Sequence, residues 1–318
     1  MADLSALLGV RSDIVSEEDR WPAPAGMRAD LDLAYGSLSR AQRLDLFRPP
    51  TPAADGQSEG GRAAALPVVV ALHGGGFLRG NKKHMRRFAH ALVPRGYAVA
   101  SVNYRLSGEA AFPAAVVDVK GAVRWLRANA DRYGLDPTRI AAVGESAGGY
   151  LAAMLGTSGD LVFPQDAALG NHGVPHAVQA VVDLFGPVNF LTMDAQQRAN
   201  PHVRRPMVHD ARKSPESLFL GRRISKVPDL VREANPVSYL SPGRTPPPFL
   251  IEHGDRDSLV PYQQSEELAA GLRAVGGSVE LTILPGVEHG LAFPLADRLP
   301  GIVAFLDGAL RPARTTTS

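Results

Sequence analysis

Val143-Gly144-Glu145-Ser146-Ala147-Gly148-Gly149-Tyr150 joins two segments of opposite character. Before it, Arg139-Ile140-Ala141-Ala142-Val143 reads as a short buried strand, and after it Tyr150-Leu151-Ala152-Ala153-Met154-Leu155 reads as a helix. A Gly-x-Ser-x-Gly between a strand and a helix is the pattern of a nucleophile elbow. A turn this sharp drives neighbouring side chains into the backbone, so glycine is wanted at Gly144 and Gly148. The serine is expected in a strained conformation with its hydroxyl clear of the sheet. The helix starting beneath it aims backbone N–H groups at any negative charge that develops there. The bare pattern also fits a glycine-rich turn carrying a solvated serine, so its weight depends on the flanking chain.

Working outward, the same rhythm repeats. Pro67-Val68-Val69-Val70-Ala71-Leu72 and Tyr97-Ala98-Val99-Ala100-Ser101-Val102 are apolar runs, and Ala177 to Phe185 and Phe249 to His253 read as further strands. Such runs suit strands buried on both faces of a parallel sheet. Val279 to Leu284 is the last strand, and helices are expected after Pro113, over Gln263–Val275 and over Leu299–Leu310. Leu31–Tyr35 and Arg43–Phe47 alternate apolar and polar, as half-buried antiparallel strands should. The fold class is therefore α/β: three layers, a mostly parallel sheet with antiparallel first strands, and helices on both faces. Residues 31–188 and 240–318 form the core. Residues 1–30 read as an N-terminal arm and 189–239 as an insertion of short helices, both candidates for a cap or pocket wall. Pro49 to Gly61, rich in Pro, Ala, Gly and Ser, reads as a surface loop.

Composition excludes several classes. The 318 residues hold 45% hydrophobic and 21% charged residues, an ordinary globular balance, and no cysteine, which removes disulfides, thiolate metal sites and a cysteine nucleophile. A formal charge of +2 is too small to argue for nucleic acid. The cluster Lys82-Lys83-His84-Met85-Arg86-Arg87 reads as a solvated helix face. Met1 to Val10 lacks the basic start and long apolar stretch of a signal peptide, and no apolar run reaches the roughly 18 residues of a membrane span. The expectation is a soluble, cytoplasmic protein acting on a small molecule, with its oligomeric state open and a homodimer as one option.

In parallel α/β sheets ligands sit beyond the carboxyl ends of the strands. Four segments follow such ends: the glycine run after Leu72, the serine turn after Val143, and the loops after His253 and Leu284. Acyl transfer needs a nucleophile, a base, a group to orient the base, and donors for the oxyanion. Ser146 is the candidate nucleophile. His73-Gly74-Gly75-Gly76 brings backbone N–H groups close to a substrate oxygen, and the donors are assigned to Gly75, Gly76 and Ala147. His73 itself reads as a loop brace. His289, in Leu284-Pro285-Gly286-Val287-Glu288-His289-Gly290, is the candidate base. Asp255 and Asp257 compete for the acid; Asp257 is favoured because its place further along the loop past the strand lets it turn toward the histidine, while Asp255 is expected to tie down the turn through its own backbone amides. The order Ser, Asp, His is that of α/β-hydrolases. No His-Glu-x-x-His is present, so a zinc site is not expected.

His73-Gly74-Gly75-Gly76-Phe77, Asn103-Tyr104-Arg105-Leu106, Gly144-Glu145-Ser146-Ala147-Gly148-Gly149 and the stretch from His253 to Pro261 together resemble the α/β-hydrolase esterases of the hormone-sensitive-lipase-like group. They are most similar to the bacterial feruloyl-esterase and acetyl-esterase-like branch, over about residues 31–310. The resemblance implies a cofactor-free carboxylic ester hydrolase for short acyl chains or aryl esters, with the triad on Ser146, Asp257 and His289. Amide or formamide hydrolysis of the kynurenine-formamidase kind, and acyl-peptide hydrolysis, use the same machinery. A ligand-binding pseudo-hydrolase is the non-enzyme alternative. Asp118, Tyr104 and Arg105 read as structural braces.

Overall fold

A computed structural model describes residues 23–50, 64–159, 161–204 and 206–311. Among them one eight-stranded sheet runs in the order β1-β2-β4-β3-β5-β6-β7-β8. Its strands are β1 (Arg28–Ala34), β2 (Arg43–Arg48), β3 (Leu66–Leu72), β4 (Ala98–Val102), β5 (Leu135–Glu145), β6 (Ala180–Leu184), β7 (Phe249–Gly254) and β8 (Val279–Leu284). β1 pairs antiparallel with β2, and β2 antiparallel with β4. The pairings β4·β3·β5·β6·β7·β8 are all parallel. Most of residues 1–30 and 51–61, read above as arm and loop, lie outside the described residues.

The apolar runs become central strands because both their faces are covered. Alternate residues divide between two core clusters: Val68, Val70, Leu72, Ala100 and Ala142 join the one, while Val69, Ala71, Val99, Ala141, Val143 and Val182 join the other. All of these residues are fully buried. Each buried Val or Leu contributes about 1.5–3 kcal/mol, and a one-residue slip would exchange the two sets, so the register is strongly specified. Among the described residues, eight helices complete the layers: α1 (Arg86–Leu92), α2 (Ala114–Ala128, prolonged by a turn at Ala130–Tyr133), α3 (Ala147–Ser158), α4 (Met193–Ala199), α5 (Pro215–Phe219), α6 (Pro228–Glu233), α7 (Gln263–Ala274) and α8 (Leu295–Leu310). No described helix is long and apolar enough to cross a membrane.

Three expectations change. β1 is not half-buried by simple alternation: Leu31 is 52% exposed, because Asp32 (φ 55°) sits in a bulge that shifts the register between Asp30 and Leu33. The basic cluster is not simply a solvated face. Lys82 is buried, its Nζ 2.5 Å from Asp45 Oδ1 and 2.8 Å from Asp32 Oδ1, and Arg87 pairs with Glu145 beside the serine turn. α8 starts one turn before Leu299 and accommodates Pro300.

Register places the functional loops. Leu72 lies opposite Gly144, Glu145 opposite Leu184, and Gly254 opposite Leu284. The glycine run, the serine and the two later loops therefore leave the sheet at one level. β8 is three strands from β5, about 14 Å at the usual spacing. Residues 285–289 can just cross that gap when extended, since five residues reach about 17 Å.

Candidate active site

Ser146 stands between β5 and α3 with φ 54° and ψ −121°, a conformation rare for a residue with a Cβ. Its own N–H bonds Leu184 O of the neighbouring strand at 2.9 Å. A Cβ on Gly144 would overlap the Gly148 carbonyl, and one on Gly148 would overlap the carbonyls of Leu72 and His73. Both glycines are thus dictated by how closely the turn folds on itself and on β3.

His289 follows β8, and its Nε2 lies 2.9 Å from Ser146 Oγ. Its Nδ1 lies 2.5 Å from Asp257 Oδ2. The three residues singled out from sequence are therefore in contact in the order hydroxyl, imidazole, carboxylate. The two later loops are laced together: Asp255 N–H bonds Leu284 O, Arg256 N–H bonds Val287 O, and Asp255 Oδ1 accepts the Gly286 N–H at 2.7 Å. Asp255 therefore ties down the histidine loop rather than its own turn. It is Asp257 that caps local amides, with Oδ1 accepting from Leu259 at 2.9 Å and Val260 at 2.7 Å. Asp257 is almost wholly buried. Burial alone would push its carboxyl up, but the His289 ring and hydrogen bonds from His253 and His289 override this and hold it well below the usual carboxylate range.

The glycine run folds over the serine, and Gly74 lies where a Cβ would come 3.2 Å from Ser146 Cβ. Gly75 and Gly76 both have positive φ, 117° and 61°. Their amides donate to no acceptor among the described residues, and Ala147 opens α3, where the first N–H groups have no partner within the helix. His73 is the brace its position suggested. It is buried, its Nδ1 donates to Gly74 O at 2.8 Å, Tyr104 stacks on it at 4.4 Å, and burial pushes its imidazole down to about 4. Asp118 and Arg105 form a double-pronged ion pair, with Gln42 donating to the same carboxylate.

Two short helices of the 189–239 segment pack on these loops. Gln197 of α4 and Asn200, which caps its end, donate to the carbonyls of Asp257 (3.4 Å) and Asp255 (2.9 Å). In α5, Pro215 covers Gly76 and Phe219 stacks on Phe77 at 4.0 Å. Sequence reasoning passed over Gln197, Phe219 and His253, because nothing in a lone Gln, Phe or strand-end His marks which loop it will meet. Among the described residues no three His, Cys, Asp or Glu side chains gather as a metal site would require.

Residues 57–272 match the BD-FAE family model. The chain belongs to the BD-FAE family. Relatives of this BD-FAE chain include esterase LipC of Mycobacterium tuberculosis, 34% identical over 73% of this chain and 54% of that protein. Esterase LipQ of the same organism is 33% identical over 83% of this chain and 57% of its own length. The chain thus spans little more than half the length of these curated relatives. A solved truncated carbohydrate esterase from gut microbiota superposes with a TM-score of 0.74 at 26% identity, covering 90% of this chain and 97% of its own. The BD-FAE chain has the α/β-hydrolase fold.

Proposed function

We propose that this chain is a serine carboxylic ester hydrolase acting on short-chain or aryl esters through an acyl-enzyme. The observation that carries the reading is the contact series Ser146 Oγ, His289 Nε2, His289 Nδ1, Asp257 Oδ2, at 2.9 Å and 2.5 Å. The relatives named as esterases support the same reaction class.

Ser146 Oγ attacks the ester carbonyl while His289 Nε2 takes its proton. The carbonyl oxygen becomes an oxyanion held by the N–H groups of Gly75, Gly76 and Ala147, each worth about 3 kcal/mol in such sites. Asp257 keeps the His289 proton on Nδ1 and stabilises the imidazolium. The imidazolium protonates the departing alkoxide, releasing the alcohol and leaving the acyl group on Ser146. Water then attacks the acyl carbon while His289 Nε2 takes its proton; the C–O bond to Ser146 breaks, the acid is released, and His289 returns the proton to Ser146 Oγ. The 189–239 segment serves as pocket wall.

The test combines a serine-directed fluorophosphonate with p-nitrophenyl esters of graded chain length, methyl ferulate and acetylated sugars. The expected result is stoichiometric labelling at Ser146 and turnover of the short or aryl esters. Intact protein that neither labels at Ser146 nor turns over any of these esters refutes the proposal.

A further inference from the structure

β7 delivers a second histidine to the acid. His253 is fully buried four residues before Asp257, and the reaction as written gives it no task. Its Nε2 lies 2.9 Å from Val260 O and 3.2 Å from Asp257 Oδ2. Its Nδ1 lies 2.7 Å from Ser265 Oγ, near the start of α7. Nε2 faces two acceptors and so carries a proton; Nδ1 meets a hydroxyl able to donate to it.

The consequence falls on Asp257. An ionised carboxylate accepts at both oxygens, about two donors each. Oδ1 is filled by the amides of Leu259 and Val260. Oδ2 meets His289 Nδ1 and His253 Nε2. Three full donors, together with the His253 N–H that Oδ2 shares with Val260 O, bracket the carboxylate from two directions. Remove His253, and Oδ2 keeps His289 alone among these donors.

We infer that His253 is a positioning residue: its Nε2–H holds Asp257 Oδ2 in line with His289, and Ser265 selects the nitrogen of His253 that bears the proton. A brace for the loop would need only the bond to Val260 O; the additional approach to Oδ2 puts the second imidazole on the atom that His289 uses. The inference rests on the Ser146–His289–Asp257 reading.

The variants are His253→Leu, which removes the donor; His253→Gln, whose amide nitrogen can reach the place of Nε2; and Ser265→Ala. Each is measured for kcat and KM on p-nitrophenyl acetate, fluorophosphonate labelling rate, and the downfield proton resonance of the His289–Asp257 hydrogen bond. His253→Leu is expected to lower kcat by about tenfold to a hundredfold, the worth of one hydrogen bond to a charged group, with KM within about twofold and the resonance shifted. His253→Gln should recover most of the loss, and Ser265→Ala should show a smaller fall in kcat alone. Unchanged kcat in folded His253→Leu, or a Gln variant no better than Leu, overturns the inference. If His253→Leu does not fold, Ser265→Ala settles the matter, and an unchanged kcat and resonance there overturn it. Failure of the underlying reading looks different: the wild type itself would not label at Ser146.

Discussion

Replacing Asp257 by Asn exchanges one oxygen for an NH2 with little change of shape, so its effect reports on hydrogen bonding rather than packing. In the native site all four contacts to the carboxylate come from donors: Leu259 and Val260 amides at Oδ1, His289 Nδ1 and His253 Nε2 at Oδ2. An amide side chain has one acceptor oxygen and one donor nitrogen, so both orientations set donor against donor. With its oxygen toward Leu259 and Val260, the NH2 faces His253 Nε2, which keeps Val260 O as its acceptor, and His289 Nδ1. That nitrogen must then give up its proton, which moves to Nε2, the atom 2.9 Å from Ser146 Oγ. A protonated Nε2 cannot take the serine proton. With its oxygen toward His289, the NH2 opposes two buried amides, each costing about 1–3 kcal/mol when left unpaired. The first orientation is favoured, and sites holding the wrong tautomer lose about 10⁴ in kcat. That is about 5 kcal/mol of transition-state stabilisation. The control is Asp255→Asn, whose oxygen can still accept the Gly286 N–H and which should cost about tenfold or less. Steady-state hydrolysis of p-nitrophenyl acetate, normalised by fluorophosphonate titration of Ser146, measures both. Asp257→Asn within tenfold of wild type, or Asp255→Asn the more damaging change, would refute the reasoning.

Ser146→Ala should lower turnover by about 10⁶ while leaving the thermal midpoint within a few degrees of wild type; retained esterase activity in purified variant would remove the serine from the mechanism. Gly148→Ala forces a Cβ into the carbonyls of Leu72 and His73, and the overpacking should cost about 3 kcal/mol in urea unfolding together with most of the activity; a variant as stable as wild type would show that the turn has room. Asp183 concerns pH. It is fully buried in β6, Oδ2 has no partner among the described residues, and burial pushes its carboxyl up to about 7, opposed by the nearby His253 and the Gly186 amide. A carboxyl raised in the fold binds its proton more tightly folded than unfolded, so its contribution is present below about pH 4 and lost as pH climbs toward 7, by up to about 4 kcal/mol. Asp183→Asn, which mimics the protonated acid, should therefore match wild type near pH 4 and exceed it at pH 8 in urea melts. A difference that does not change with pH would contradict this account.

Much of the molecule was legible because its signals are local. Two-face burial writes itself as unbroken apolar runs, so the parallel strands β3 to β7 could be read one by one, and the glycines around Ser146 follow from the steric demands of one turn. The order Ser146, Asp257, His289 was legible because each residue follows a strand, and parallel strands must release their loops at the same edge of the sheet. Other features depend on which distant segments become neighbours. Strand order put β8 three places from β5 and required residues 285–289 to cross back over the sheet. The bulge at Asp32 turned Leu31 outward, and the buried Asp45 drew Lys82 in from an apparently solvated basic run. The pairing of α4 with the acid loop, of Phe219 with Phe77, and of His253 with Asp257 likewise arises from tertiary packing. A single hydrogen bond or ring contact has no periodicity along the chain. Its partners are chosen by the three-dimensional arrangement, so only the folded structure could name them.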